Sequence, residues 1–129
     1  MTEFVLDASA LLAMLLGEPG GVRVGHVLPD SAMTTVNFAE VVGHYTRNGG
    51  LDAEIRAVLD PLPTSLVPLD HELAYQAGIL LPLTWAARLS LGDRACLALA
   101  RRLGVPALTT DLAWQTIAAQ VGVRVELIR

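Results

Sequence analysis

Hydrophobic and polar positions fall in blocks along this chain: short apolar or β-branched runs, each followed by a stretch with helical spacing. EFVL reads as a buried strand, and ASALLAMLLG as a helix ended by Gly17 and the EPGG breaker. GVRVGHVL predicts a second, shorter helix, and AMTTV a strand. NFAEVVGHYTRNGG is the best delimited helix, with Asn37 at its start and Asn48, Gly49 and Gly50 at its stop. DAEIRAVLD is helical up to Pro61, and SLVPL is a brief strand. DHELAYQAGILLPLTWAARL reads as two helical pieces divided at Pro82, because proline removes a backbone donor and disfavours helix in the residue before it. SLGDRACLALARRLG is a helix, VPALTT a buried strand, DLAWQTIAAQVG a helix and VRVELI an edge strand.

Strands separated by helical crossovers imply a three-layer α/β/α sandwich with a mainly parallel central sheet. In such open sheets ligands bind at the carboxyl ends of the strands. With 129 residues, no repeat and no linker-like segment, the expectation is one domain over residues 1–129. Hydrophobic residues make up 53% of the chain and the mean hydropathy is +0.49, enough for a generous core and some apolar surface reserved for a partner. No apolar run approaches the roughly 18–20 residues that cross a bilayer, and no basic segment precedes a cleavable apolar stretch. The expected location is therefore cytoplasmic, away from the membrane.

Charge and cysteine narrow the chemistry. The formal net charge of −4 argues against a purely electrostatic nucleic-acid binder. All nine cations are arginines, which excludes a P-loop, a Schiff base or a phospho-receiver site, since each requires lysine. Arg88, Arg94, Arg101 and Arg102 cluster in one stretch and read mainly as a solvated helix face. Cys96, the single cysteine, permits neither an internal disulfide nor a cysteine-based zinc site, and sits in RACLALA as a small core residue.

Four acids stand where chemistry would be expected. Asp7 follows the first strand, Asp111 follows PALTT, Glu40 lies in the helix after AMTTV, and Asp93 opens the helix DRACLALARR. Each has a local structural explanation: Asn37 with Glu40 and Ser90 with Asp93 form capping-box patterns, and Asp7 and Asp111 fit N-cap positions. As a set they share a different feature, the lack of an obvious basic partner. Two such charges about 5 Å apart repel by roughly 3 kcal/mol at an effective dielectric of 20, and a divalent cation reverses that sign. Oxygen ligands alone favour Mg²⁺ or Mn²⁺ over zinc, leaving His26, His44 and His71 as surface or packing residues. Ser9, Asn37 and Thr110 are small polar residues suited either to hold the carboxylates or a bound water, or to cap helix ends.

VLDASALLAML, VNFAEVV and LSLGDRACLALARRLGVPALTTDLAW together resemble the PIN-domain family, and in particular its small VapC-type toxins. The ordered features are D-x-S after the first strand, A-E near residue 40, G-D before an alanine-rich helix, and TTD followed by a Trp, spanning nearly the whole chain. The resemblance implies an Mg²⁺-dependent endoribonuclease whose catalytic and metal-binding residues are Asp7, Glu40, Asp93 and Asp111. One or two such ions would activate water, polarise the phosphodiester and stabilise the leaving 3′ oxygen. It also implies an RNA substrate, a cognate antitoxin protein, and a homodimer. The helices FAEVVGHYTR and AEIRAVLD are candidate walls of a groove for an antitoxin helix. The competing reading is a noncatalytic PIN-like module that binds RNA or protein, its acids serving only as caps. A phosphatase on a similar sheet is disfavoured because DAS lacks the second aspartate of a D-x-D pattern.

Overall fold

A computed structural model describes residues 1–129. Its five strands, β1 (Phe4–Leu6), β2 (Ser31–Thr34), β3 (Ser65–Val67), β4 (Ala107–Thr109) and β5 (Val125–Leu127), form one sheet in the order β3-β2-β1-β4-β5. Every pairing is parallel, with Val5 opposite both Ala32 and Ala107. Parallel neighbours need crossovers, and eight helices provide them: α1 (Ala8–Leu15), α2 (Gly21–Val27), α3 (Thr35–Arg47), α4 (Asp52–Leu59), α5 (His71–Ile79), α6 (Leu81–Thr84), α7 (Leu91–Leu103) and α8 (Ala118–Val121).

The two-residue period of the strands sorts the core into two layers. Leu6, Met33 and Leu108 point to one side, where they pack with Leu11, Val24, Val41, Ile55 and Leu59 from α1 to α4. Their neighbours Val5, Ala32 and Ala107 point to the other, against Leu73 and Ala77 of α5, Cys96 to Ala100 of α7, and Trp114. The three-layer arrangement expected from the pattern is the one observed. Both faces of the central strands are buried, which is why they read as continuous apolar runs. No helix is long and apolar enough to cross a membrane.

Three local expectations change. The helix after β2 begins at Thr35 rather than Asn37, because the Thr34 hydroxyl accepts the Asn37 amide at 3.1 Å and occupies the cap. The break between α5 and α6 falls at Leu80, leaving Pro82 in the first turn of α6, where its missing N–H costs no helix bond; residues 85–88 turn instead of continuing the helix. DLAWQTIAAQVG divides into a 3-10 turn (Leu112–Thr116) and the four-residue α8, since Trp114 is drawn completely into the core beside α7.

Candidate active site

All strands being parallel, the carboxyl ends of β1, β2 and β4 open on the same edge of the sheet, and the acids follow from there. Asp7 comes directly after β1, its amide held by the Leu108 carbonyl at 2.9 Å. It occupies the N-cap position of α1 yet makes no side-chain cap bond. Instead its Oδ2 accepts the hydroxyls of Ser9 at 2.7 Å and Thr109 at 2.9 Å. Both hydroxyls also accept: Ser9 Oγ takes the Thr110 amide and Thr109 Oγ1 the Asp111 amide, both at 3.1 Å, and the two hydroxyls lie 3.3 Å from each other, so Asp7 is the nearer of the two acceptors open to each proton. Oδ1 accepts no hydrogen bond from the protein.

Asp7 as a residue is only 6% exposed. Burial pushes its pKa up to about 6, against the lowering effect of the two hydroxyls, with the charges of Asp93 and Glu40 adding to the rise. Glu40 is exposed as a residue, but its carboxylate end turns inward, and partial desolvation followed by the Asp93 charge raises its pKa while the Asn37 bond lowers it. Glu40 is not the third residue of α3, so the Asn37–Glu40 capping box does not form. Asn37 is fully buried, and both protons of its carboxamide are used: one on Glu40 Oε1 at 3.0 Å, the other on the Gly92 carbonyl at 2.9 Å. Its own oxygen accepts the Thr34 hydroxyl at 2.5 Å. The amide therefore joins the start of α3 to the start of α7 and aims Glu40 at the same time.

Asp93 does form the capping box read from the sequence. Its Oδ2 accepts the Ser90 amide at 2.8 Å while Ser90 Oγ accepts the Asp93 amide at 3.2 Å. Desolvation raises its pKa, Ser90 lowers it, and the charge of Asp111 raises it again. Asp111 is exposed and caps the turn after β4, taking the Ala113 amide on Oδ1 at 3.0 Å. Capping uses one carboxylate oxygen in each of these two residues. Cys96, one turn beyond Asp93, is fully buried, and its thiol is pushed well up by burial and then by Asp7, Asp93 and Glu40.

The structure thus links Asp7, Glu40 and Asp93 electrostatically, with Asp111 reaching the group through Asp93. No arginine pairs with any of the four. The ion pairs are Arg23–Glu126, Arg56–Asp52, Arg102–Asp70 and Arg129–Glu18, all involving other acids. Arg94, next to Asp93, donates from one nitrogen to the Ala77 carbonyl at 3.1 Å and leaves its buried Nε without a partner; its charge lowers the Asp93 pKa without forming an ion pair. No three acid, histidine or cysteine side chains converge closely enough to form a preformed metal cage. The donor set nonetheless fits a hard divalent cation: it is all oxygen, mutually repulsive, and includes a buried carboxylate with one oxygen that no protein donor satisfies. Mg²⁺ suits such a set, since it keeps several of its waters and takes only one or two carboxylates directly.

Three participants escape a reading of the sequence. The threonine hydroxyl that reaches Asp7 belongs to Thr109, whereas Thr110 offers Ser9 only its backbone amide. A polar residue ending an otherwise apolar buried strand was the available signal for Thr109. Thr34 carries the same signal at the end of β2 and Gly92 stands in the G-D pair of the sequence, but their roles depend on the approach of α3 to α7.

Parallel order, acid placement and the buried aspartate after β1 together define an α/β domain with an acidic centre at its carboxyl edge. The chain belongs to the PIN domain family, whose profile matches residues 4–120. No curated protein sequence matches it. Among solved structures, it resembles a DNA-bound VapBC complex from Salmonella typhimurium, with TM-score 0.74, 15% identity and full coverage (100%) of both chains. A toxin–antitoxin complex from Klebsiella pneumoniae superposes with TM-score 0.73 at 16% identity, covering 98% of each chain. The Mycobacterium tuberculosis VapC20 toxin, described as cleaving the sarcin–ricin loop, gives 0.71 at 19% identity over 88% of this chain and 94% of its own. These likenesses are of fold.

Proposed function

We propose that this protein is an Mg²⁺-dependent endoribonuclease acting as the toxin of a type II toxin–antitoxin pair, with residues 1–129 as one domain in the cytoplasm. The observation that carries the reading is Asp7: a residue 6% exposed, its carboxylate facing the charges of Asp93 and Glu40, with no cation paired to it. At neutral pH that arrangement costs the metal-free protein electrostatic free energy, which a bound divalent cation would offset. Asp7, Asp93 and Glu40 would hold the ion, one or two of them directly and the rest through its waters, with Asp111 contributing from the rim, and Mn²⁺ can take its place. When bound, the metal supplies an activated water and neutralises charge on the phosphodiester. The chain's own part is orientation. Ser9 and Thr109 fix Asp7, Asn37 fixes Glu40, and the helix cap at Ser90 fixes Asp93.

The structural likeness to toxin–antitoxin complexes supports an antitoxin partner. A notch of about 250 Å³ between α3 and α4, lined by Val42, Thr46, Ile55 and Arg56 among others, suits one face of an amphipathic antitoxin helix. Tyr75, Ile79 and Trp85 expose apolar surface suited to a homodimer.

The noncatalytic reading keeps one observation in its favour, that Asp93 and Asp111 both cap local structure. Cleavage of RNA by the purified protein separates the two. Cleavage that requires Mg²⁺ or Mn²⁺ and stops with EDTA is the expected result. Equal cleavage in EDTA removes the metal mechanism, and binding without cleavage under any divalent ion favours the noncatalytic module.

A further inference from the structure

Gly92 lies in the first turn of α7, buried, one residue before Asp93. A Cβ built there would stand 2.5 Å from Glu40 Oε1, 2.6 Å from Oε2 and 2.7 Å from Cδ, closer than any real contact allows. The nearest atoms are all the carboxylate end of one flexible side chain, and none is backbone. Asn37 closes the other side of the same space, donating to Glu40 Oε1 and to the carbonyl of Gly92 itself. A residue at this position with any side chain would have to evict the carboxylate. Nothing in the backbone conformation of position 92 calls for glycine: its φ is not positive, unlike that of Gly104 at the far end of the same helix. Gly92 stands in the first turn, short of the helix interior where glycine is most disfavoured, but a buried glycine with ordinary backbone angles still asks for a packing reason.

We infer that Gly92 is a positioning residue: its missing side chain forms the slot that seats the Glu40 carboxylate beside Asp93, with Asn37 as the latch. The functional consequence rests on the nuclease reading above, but the slot itself does not. Gly92→Ala leaves the backbone room it needs and swings Glu40 out of the site, so it mimics loss of Glu40 without touching an acid.

The test is a double-mutant cycle of Gly92→Ala with Glu40→Ala, read by melting temperature without metal, by Mn²⁺ affinity and by RNA cleavage. Expected are a folded Gly92→Ala protein, weaker Mn²⁺ binding, and cleavage reduced by about a hundredfold, the loss typical of a reacting group misplaced by about 1 Å. In the Glu40→Ala background the same alanine costs nothing further in Mn²⁺ affinity or cleavage, and it raises the melting temperature, because the clash is gone and alanine favours helix. If Gly92→Ala lowers the melting temperature equally in both backgrounds, or if it retains wild-type Mn²⁺ affinity while Glu40→Ala weakens it, Gly92 is a backbone packing residue and the slot is overturned. Should Gly92→Ala fail to fold, recovery of folding in the double variant supports the slot, and failure of both refutes it. A wild-type protein that cleaves no RNA defeats the nuclease reading alone, and the melting cycle still decides the role of Gly92.

Discussion

The Thr109 hydroxyl donates to Asp7 Oδ2 at 2.9 Å, joining residues 102 positions apart in sequence at the carboxyl ends of neighbouring strands β4 and β1. Because the same hydroxyl accepts the Asp111 amide, it ties the buried acid to the turn that carries the exposed one. Charge-assisted bonds of this kind contribute about 1.5–3 kcal/mol each, and here they act against the burial that keeps Asp7 hard to ionise. The balance has consequences that can be measured.

Stability of the metal-free protein should depend on pH through Asp7. Its folded pKa of about 6 lies above the ordinary 3.8, so the folded state holds this proton more tightly than the unfolded chain. The stabilisation is complete below the unfolded value and is lost as pH rises through about 6; the gap corresponds to about 3 kcal/mol. Melting in EDTA should therefore occur at a lower temperature at neutral pH than near pH 4 to 5 so far as this group is concerned. Asp7→Asn should flatten that slope, raise neutral-pH stability without metal, and shrink the stabilisation produced by added Mg²⁺. An unchanged slope in Asp7→Asn would assign the effect to other groups.

Glu40→Gln should separate geometry from charge. A glutamine oxygen can accept the Asn37 carboxamide as Glu40 Oε1 does, so the latch between α3 and α7 survives and the fold is kept. The negative charge is lost. Cleavage at limiting Mg²⁺ should fall by about a hundredfold or more, by analogy with removal of a single electrostatic group at a reacting centre. A wild-type rate for this variant would take Glu40 out of the metal site.

Ser90 and Asp93 share one capping box but should fail in opposite ways. Ser90→Ala removes the acceptor for the Asp93 amide and should cost about 1 kcal/mol of stability, seen as a lower melting temperature, with a smaller effect on cleavage. Asp93→Asn retains an oxygen for the Ser90 amide, so it should melt close to the wild type or above it while losing nearly all cleavage. A large drop in melting temperature for Asp93→Asn, with cleavage intact, would make Asp93 a cap alone.

The main divisions of the fold are visible in the sequence because they rest on local periodicity. Val5, Ala32 and Ala107 alternate with Leu6, Met33 and Leu108, and that two-residue period, repeated between helical stretches, is enough for a parallel sheet covered on both faces. Where several local signals compete, the sequence is ambiguous. TTVNFAE offers more than one capping frame, and only the closeness of α3 to α7 selects Thr34 as the cap, freeing Asn37 to reach Gly92. DLAWQTIAAQVG carries helical spacing, but burial of Trp114 overrides it.

At the acidic centre the same division holds. The residue types and their order were set by sequence alone: four acids after strands or at helix starts, no lysine, and no histidine among them. Whether an acid capped its own helix was not, because a cap and a ligand look alike within a few residues of chain. Tertiary structure decided it by supplying distant partners. Thr109 takes Asp7 away from capping, while Gly92 and Asn37 together seat Glu40. Those contacts join elements far apart in sequence, and their geometry exists only once the strands have paired and α7 has packed across the sheet against α3.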